Sequence, residues 1–333
     1  MKKIFPAGTI LMTLVLTLMF VPACVPSYPK EKLPEAVTAI CKAEYDMDVD
    51  VTVTGRTMGL YYPIAGLLDT SMRISKDAWD TISNLLLIAS RVVLSTDADI
   101  DFYCVITQDA RVPEIQVVII KYVDDIKQSM YQNISRNETF KRTLFSLNLT
   151  PQARKERSIE QIFDKMKVPA VTRQSVLDDF FRSPPTKLSD IGYWRKRFYL
   201  KDICMEEFIP AQIANRLRLD FKGEGELSKM FDYETSEGIF VEDEGIRNLW
   251  IKFKIADQIA SQGEAVLKEK KIEEVLKIAN EVVSGYKYKK FDYLILEDQL
   301  ENVQLKIQGC DVYDFVKEKM EVKSIVQAPA EYF

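Results

Sequence analysis

The sequence predicts an α+β fold: two related helix-plus-four-stranded antiparallel sheet units joined by a mainly helical connector. Three observations predict it. Apolar residues switch between the two-residue spacing of strands and the 3.6-residue spacing of helices. Short turns carrying Gly or Pro separate neighbouring strands. The same order of elements recurs about 190 residues further along the chain.

The first unit is expected over residues 33–130. Leu33 to Tyr45 reads as a helix with Pro34 in its first turn and Val37, Ile40 and Cys41 on one face. Val49, Val51 and Val53 alternate with Asp50, Thr52 and Thr54, the pattern of a half-buried strand. Gly55-Arg56 turns the chain into a second strand, Thr57 to Ile64. Ser75 caps a helix whose Trp79, Ile82, Leu85, Leu86, Ala89, Val92 and Val93 recur at helical spacing. Asp99 to Thr107 and Glu114 to Tyr122 read as two strands about Pro113, and Val123 to about Leu147 as another helix.

The second unit is expected over residues 209–326. Ile239 and Val241 stand before Gly245 as Val49 and Val51 stand before Gly55, and Arg247 parallels Arg56. Ile255-Ala256 matches Ile64-Ala65. Ile278-Ala279 and Val282-Val283 match Ile88-Ala89 and Val92-Val93. Phe291-Asp292-Tyr293 matches Ile100-Asp101-Phe102, Asp314 and Lys317 match Asp124 and Lys127, and Ile209-Pro210 pairs with Leu33-Pro34. Between the units, residues 131–208 are expected to be a helical connector with one strand at Tyr193 to Lys201. Residues 327–333 read as a tail.

Composition removes several function classes. The chain has 45 basic and 50 acidic residues, a net charge of −5, which argues against a general nucleic-acid binder. It has no histidine, which removes His-based triads, His metal ligands and the commonest general base. No phosphate loop, dinucleotide fingerprint, GxSxG or SxxK occurs. No cofactor is implied.

The amino terminus carries an address. Lys2 and Lys3 precede an uncharged apolar stretch, Ile10 to Phe20, about half the ~20 residues that a membrane-crossing helix needs. Val21-Pro22-Ala23-Cys24 ends it and resembles the lipobox of bacterial lipoproteins, with Pro22 where a small or hydroxyl residue is commoner. The resemblance covers the first 24 residues. It implies removal of residues 1–23, acylation of Cys24, and a tether over residues 24–32. Several acyl chains give stable anchoring where one does not, each buried methylene contributing ~0.8 kcal/mol. Val25 stands where enteric lipoproteins retained in the inner membrane carry aspartate, so the resemblance implies the outer membrane.

Other constellations have plainer readings. Asp46-x-Asp48-x-Asp50 and Asp97-x-Asp99-x-Asp101 open like calcium loops but lack the later glycine and glutamate, so they read as solvated strand edges and no metal is assigned. Tyr193 to Lys201 mixes aromatics with cations and reads as a strand rather than a lipid or nucleic-acid contact. Asp124-Asp125, Asp178-Asp179 and Glu206-Glu207 are adjacent pairs that diverge on a helix. Lys268 to Lys271 with Glu273-Glu274 reads as a solvated helix face. Cys41, Cys104, Cys204 and Cys310 allow two disulfides in three pairings, or serve as small buried hydrophobes.

The function expected is that of a non-catalytic binding or scaffolding lipoprotein of the cell envelope. Its partners would be the membrane, through acyl chains on Cys24, and an envelope protein, with no nucleic acid. A periplasmic hydrolase using carboxylates and a carrier of apolar ligands are the alternatives. Carboxylates converging in a cleft, or a dry cavity between helix and sheet, would mark them.

Overall fold

A computed structural model describes residues 28–183, 185–258 and 264–318. The first unit runs α1 (Leu33–Tyr45), β1 (Asp50–Thr54), β2 (Thr57–Ile64), α2 (Lys76–Val93), β3 (Phe102–Asp109), β4 (Ile115–Tyr122) and α3 (Val123–Met130). Local signals set its ends. Ser75 Oγ accepts from the Ala78 amide at 3.2 Å and starts α2, and Asp46, in the left-handed region, closes α1. The intervening stretch holds α4 (Arg136–Lys141), β5 (Leu144–Leu149), α5 (Pro151–Met166), α6 (Ala170–Phe180) and the hairpin β6 (Gly192–Trp194) to β7 (Arg197–Tyr199). The second unit runs α7 (Met205–Lys222), α8 (Leu227–Met230), β8 (Phe231–Asp243), β9 (Ile246–Asp257), α9 (Glu264–Gly285), β10 (Tyr293–Asp298), β11 (Val303–Gln308) and α10 (Gly309–Glu318).

The fold is α+β, and the two units share one plan, helix–hairpin–helix–hairpin–helix. Both sheets are mixed rather than antiparallel throughout. β1–β2 and β3–β4 are antiparallel hairpins, but β2 and β3 run parallel, with Thr57 opposite Phe102. β9 and β10 repeat this, with Asn248 opposite Tyr293. The helix between the hairpins carries the chain back over the sheet, so the next strand points the same way. The first sheet, order β1-β2-β3-β4-β5, also has a fifth strand that the second, β11-β10-β9-β8, lacks.

The repeat extends to individual bonds. The Asp101 amide donates to Arg56 O at 2.9 Å, and the Asp292 amide to Arg247 O at 2.8 Å. Asp101 O then accepts from the Val123 amide at 2.7 Å, and Asp292 O from the Gly309 amide at 2.9 Å. Each arginine is also ion-paired to its aspartate, at 2.7 and 3.1 Å. The strand matches Ile64/Ile255 and the helix matches Ile88/Ile278 and Val92/Val282 fall in equivalent places, both helical pairs buried.

Some expectations are corrected. Val51 faces Leu60 and Gly238 faces Ile251, so Gly238, not Val241, is the counterpart of Val51. The second hairpin runs two pairs further, to a turn at Glu244-Gly245 with both residues at positive φ. Pro210 lies inside α7, not in its first turn. The helix expected from Val123 to Leu147 stops at Met130, restarts under a Ser135 cap, and gives way to β5. Leu144, Leu147 and Leu149 find pairing with β4, and that tertiary partner decides the strand. Tyr193 to Lys201 is a hairpin, because Arg195 and Lys196 both take positive φ without a glycine to signal the turn.

One face of each sheet packs on its own helices. Ile209, Ile213 and Leu217 of α7 and Val275, Ala279 and Val283 of α9 close over Leu249, Ile251 and Phe253. The first sheet is covered on its second face too, where Phe102, Cys104 and Ile106 meet Tyr193, Leu200, Ile203 and Phe208. Gly59 lets this layer approach closely: a Cβ would lie 2.9 Å from Leu200 Cδ2, so the leucine would have to shift. Lys271 departs from the solvated face expected of its charge cluster. It is buried, ion-paired to the equally buried Asp298 at 2.7 Å, and donates to Ile255 O at 3.1 Å. It lies four, seven and eleven residues before Val275, Ile278 and Val282, on the buried stripe of α9.

Leaving one member of a buried ion pair alone is costly, whereas replacing both is far less so. Lys271→Met is expected to destabilise the chain by about 3–5 kcal/mol and the double change Lys271→Met, Asp298→Leu by much less, both read by urea denaturation.

Candidate binding cleft

Helix α7 is the spine between the units. Its Phe208 packs on the first sheet, and Ile209, Ile213, Leu217 and Phe221 go to the second, which approaches very closely: a Cβ at Gly238 of β8 would overlap the Pro210 carbonyl oxygen, and Ser236 Oγ donates to Ala214 O at 2.7 Å. Its opposite side is polar yet buried, at Gln212, Asn215 and Arg216. These side chains meet the end of α4 and the start of β5. Gln212 Nε2 donates to Arg142 O, Asn215 Nδ2 to Thr143 O at 3.1 Å, and Arg216 pairs with Glu138 at 2.9 Å. Lys141 pairs with Asp220 at 2.6 Å.

Arg142 ties this seam together. Its guanidinium is 11% exposed, pairs with Asp125 of α3 at 2.8 Å and Glu138 at 2.7 Å, and lies 4.7 Å from the ring centroid of Tyr286 in the second unit. Tyr286 Oη donates to the other oxygen of Asp125 at 2.7 Å. Burial raises the pKa of Asp125, and it drives the Tyr286 hydroxyl well above the ordinary phenol value. For Glu138 burial pulls upward too, but Arg216 and Arg142 outweigh it and hold the carboxyl below its usual value.

Beside this seam opens a cleft of about 410 Å³. Its apolar floor comes from Val118 and Ile120 of β4 and Leu144 of β5, which share one face of the first sheet; Phe145 turns its ring to the other face and meets the cleft through its backbone. Ala211, Ala214 and Arg218 of α7 form one wall, and Ser236 to Phe240 of β8 another. Two acids line it. Glu207 is bonded to Lys201, and Glu237 pairs with Lys187 at 3.4 Å. Arg218 donates to Phe145 O at 3.2 Å and Asn215 Oδ1 at 2.7 Å, and among the described residues no carboxylate lies in ion-pair contact with it.

Neither a family model, a curated protein nor a solved structure matches the chain at a significant level. The chemistry must therefore be read from the side chains themselves.

Cys24, the apolar leader and the tail at 327–333 lie outside the described residues. Cys41 and Cys104 are buried, and burial pushes the Cys41 thiol to about 11; Cys204 and Cys310 are exposed, and all four are free. The aspartate runs do not converge. Asp46 and Asp48 both meet Lys42, Asp50 accepts from Tyr193 Oη at 2.6 Å, and Asp99 and Asp101 share Arg56. The adjacent acids diverge: Asp125 points inward to Arg142 while Asp124 reaches Lys127, and Glu206 meets Lys290 while Glu207 meets Lys201. In the aromatic–basic stretch, Tyr193 stacks on Tyr61 with centroids 3.6 Å apart, Trp194 Nε1 donates to Glu156 at 2.7 Å, and Arg195 pairs with the same carboxylate.

Sequence reasoning missed the seam and the cleft. Their members lie up to 161 residues apart, as Asp125 and Tyr286 do. The available signal was three polar residues, Gln212, Asn215 and Arg216, on a helix whose surroundings are apolar.

Glu138→Gln is expected to cost about 1.5–3 kcal/mol at pH 7, the range for hydrogen bonds to charged groups. Because the folded pKa of Glu138 lies below its usual 4.5, this stabilisation is complete above that value and fades as pH falls through the folded one. Denaturation curves of the two proteins should therefore converge at low pH.

Proposed function

We propose that the chain is a cell-envelope lipoprotein, anchored through acyl chains on Cys24, that works as a non-catalytic binding or scaffolding module. The observation that carries the reading is the cleft: an apolar floor, a strand edge for a wall, and acids that each meet a lysine. A hydrolase using two carboxylates needs them facing across the substrate. Here Glu207 and Glu237 are engaged separately, which favours binding. A carrier of apolar ligands is less well supported, because the cleft is open beside a strand edge and rimmed with charge.

The address fits this role. Among the described residues no helix is long and apolar enough to cross a membrane. Tyr28 is fixed to the loop after α2, its amide donating to Ser95 O at 3.3 Å and its carbonyl accepting from Thr96 Oγ1 at 2.7 Å. Three residues separate it from Cys24, and the four steps between them span at most about 14 Å. The first unit would sit against the bilayer, with the cleft beyond it. Tethering of this kind raises the local concentration of partners at the membrane. The acidic chain and the ion pairs that engage Arg195 and Lys201 favour a protein partner over nucleic acid.

Two measurements test the proposal. The mature protein should begin at an acylated Cys24, and Cys24→Ser should move it to the soluble fraction. A photo-crosslinking side chain at Phe240 should trap a discrete envelope protein, where one at Leu87 on the outer face of α2 should not. A bare sulfur at Cys24, or the same absence of adducts at both positions, would remove the reading.

A further inference from the structure

The edge of β8 is the feature that points to a particular kind of partner. β8 has thirteen residues and pairs only with β9, so its other edge carries backbone donors and acceptors that no strand of the described residues takes up. Successive residues from Ser236 to Phe240 all line the cleft. Neighbouring residues of a strand point to opposite faces, so a wall made by five in a row is the strand's edge rather than either face. The edge is not hidden by its helix. Ser236 and Gly238 face α7, as their contacts with Ala214 and Pro210 show, while the backbone between them fronts the opening. Exposed edges of this length are normally blunted, and here the blunting is a single ion pair, Lys187–Glu237, between two half-exposed side chains at the rim.

The charge of the cleft selects among extended partners. Both acids have lysine partners, whereas among the described residues Arg218 bonds to neutral oxygens alone. A guanidinium held by a backbone carbonyl and an amide keeps donors for a carboxylate, and such charge-assisted bonds are about twice as strong as neutral ones. The floor of Val118, Ile120 and Leu144 suits apolar side chains at alternate positions of an added strand.

We infer that the cleft takes an extended peptide segment of a protein partner as an added strand on β8, with apolar residues alternating toward β4 and β5 and an Asp, Glu or terminal carboxylate against Arg218. The inference rests on the binding-module reading and names the chemistry of its partner. About five residues would be engaged, spanning roughly 17 Å.

The test uses the detergent-solubilised lipidated protein and a displayed library of random twelve-residue peptides. Enriched peptides should alternate apolar residues and carry an acid. Their binding should slow amide exchange across Ser236 to Phe240. N-methylation at alternate peptide positions should weaken binding at least about tenfold, with the intervening positions tolerant, because only every second amide faces the edge. Arg218→Gln should weaken binding about tenfold, and Arg218→Lys less. Failure of any peptide to enrich, protection elsewhere in the chain, or equal tolerance of N-methylation at every position would overturn strand addition. Those results would leave anchoring at Cys24 and crosslinking from Phe240 as separate findings, so the two failures are distinguishable.

Discussion

A guanidinium enclosed by protein on nearly every side is stable only when its charge and its donors are met, because bringing it out of water costs several kcal/mol. Arg142 is in that position, and what meets it comes from three parts of the chain: Asp125 from the first unit, Glu138 from the segment that follows it, and the ring of Tyr286 from the second. Arg216 of α7 completes the set through Glu138. The geometry that satisfies all of them at once allows one placement of α7 against β5. The cleft is the space left beside that placement, so its width and the direction of the β8 edge follow from the charged seam.

The presence of two similar units explains why a seam is needed. Each unit closes its own core with two helices on one sheet face, and the paired bonds Arg56–Asp101 and Arg247–Asp292 fix the same hairpin-to-strand junction in both. Two self-sufficient units have no reason to adopt a fixed relation unless something between them imposes it. In this chain the inserted segment does so. β5 extends the first sheet, the β6–β7 hairpin covers its second face, and polar groups of α7 cap carbonyls at the start of β5.

The repeat was legible because it rests on short-range patterns: the helical stripe Ile88, Ala89, Val92 against Ile278, Ala279, Val282, and an arginine just after the glycine of each first hairpin turn. The α+β class followed from the same periodicity. What sequence could not carry were choices made by distant partners. Residues 144–149 have the apolar content of a helix or a strand, and the edge of β4 decides. Lys271 sits among charged neighbours and was assigned to water for that reason, although its spacing to Val275 and Ile278 places it inward. Arg142 and Glu138 look like any helical ion pair until Tyr286 and Arg216 arrive from the other end of the chain. The cleft has no motif at all, since strand edges are made of backbone.

The central claim is that this buried charge holds the units in a single relation. Spin labels at Leu87 in α2 and Gln304 in β11, with Cys204 and Cys310 replaced, would report the distance between units by electron–electron resonance. One narrow distance distribution at neutral pH, broadening on Arg142→Ala while each unit keeps its secondary structure, is the result expected. A broad distribution in the otherwise unaltered chain, or one that Arg142→Ala leaves narrow and unshifted, would contradict the account.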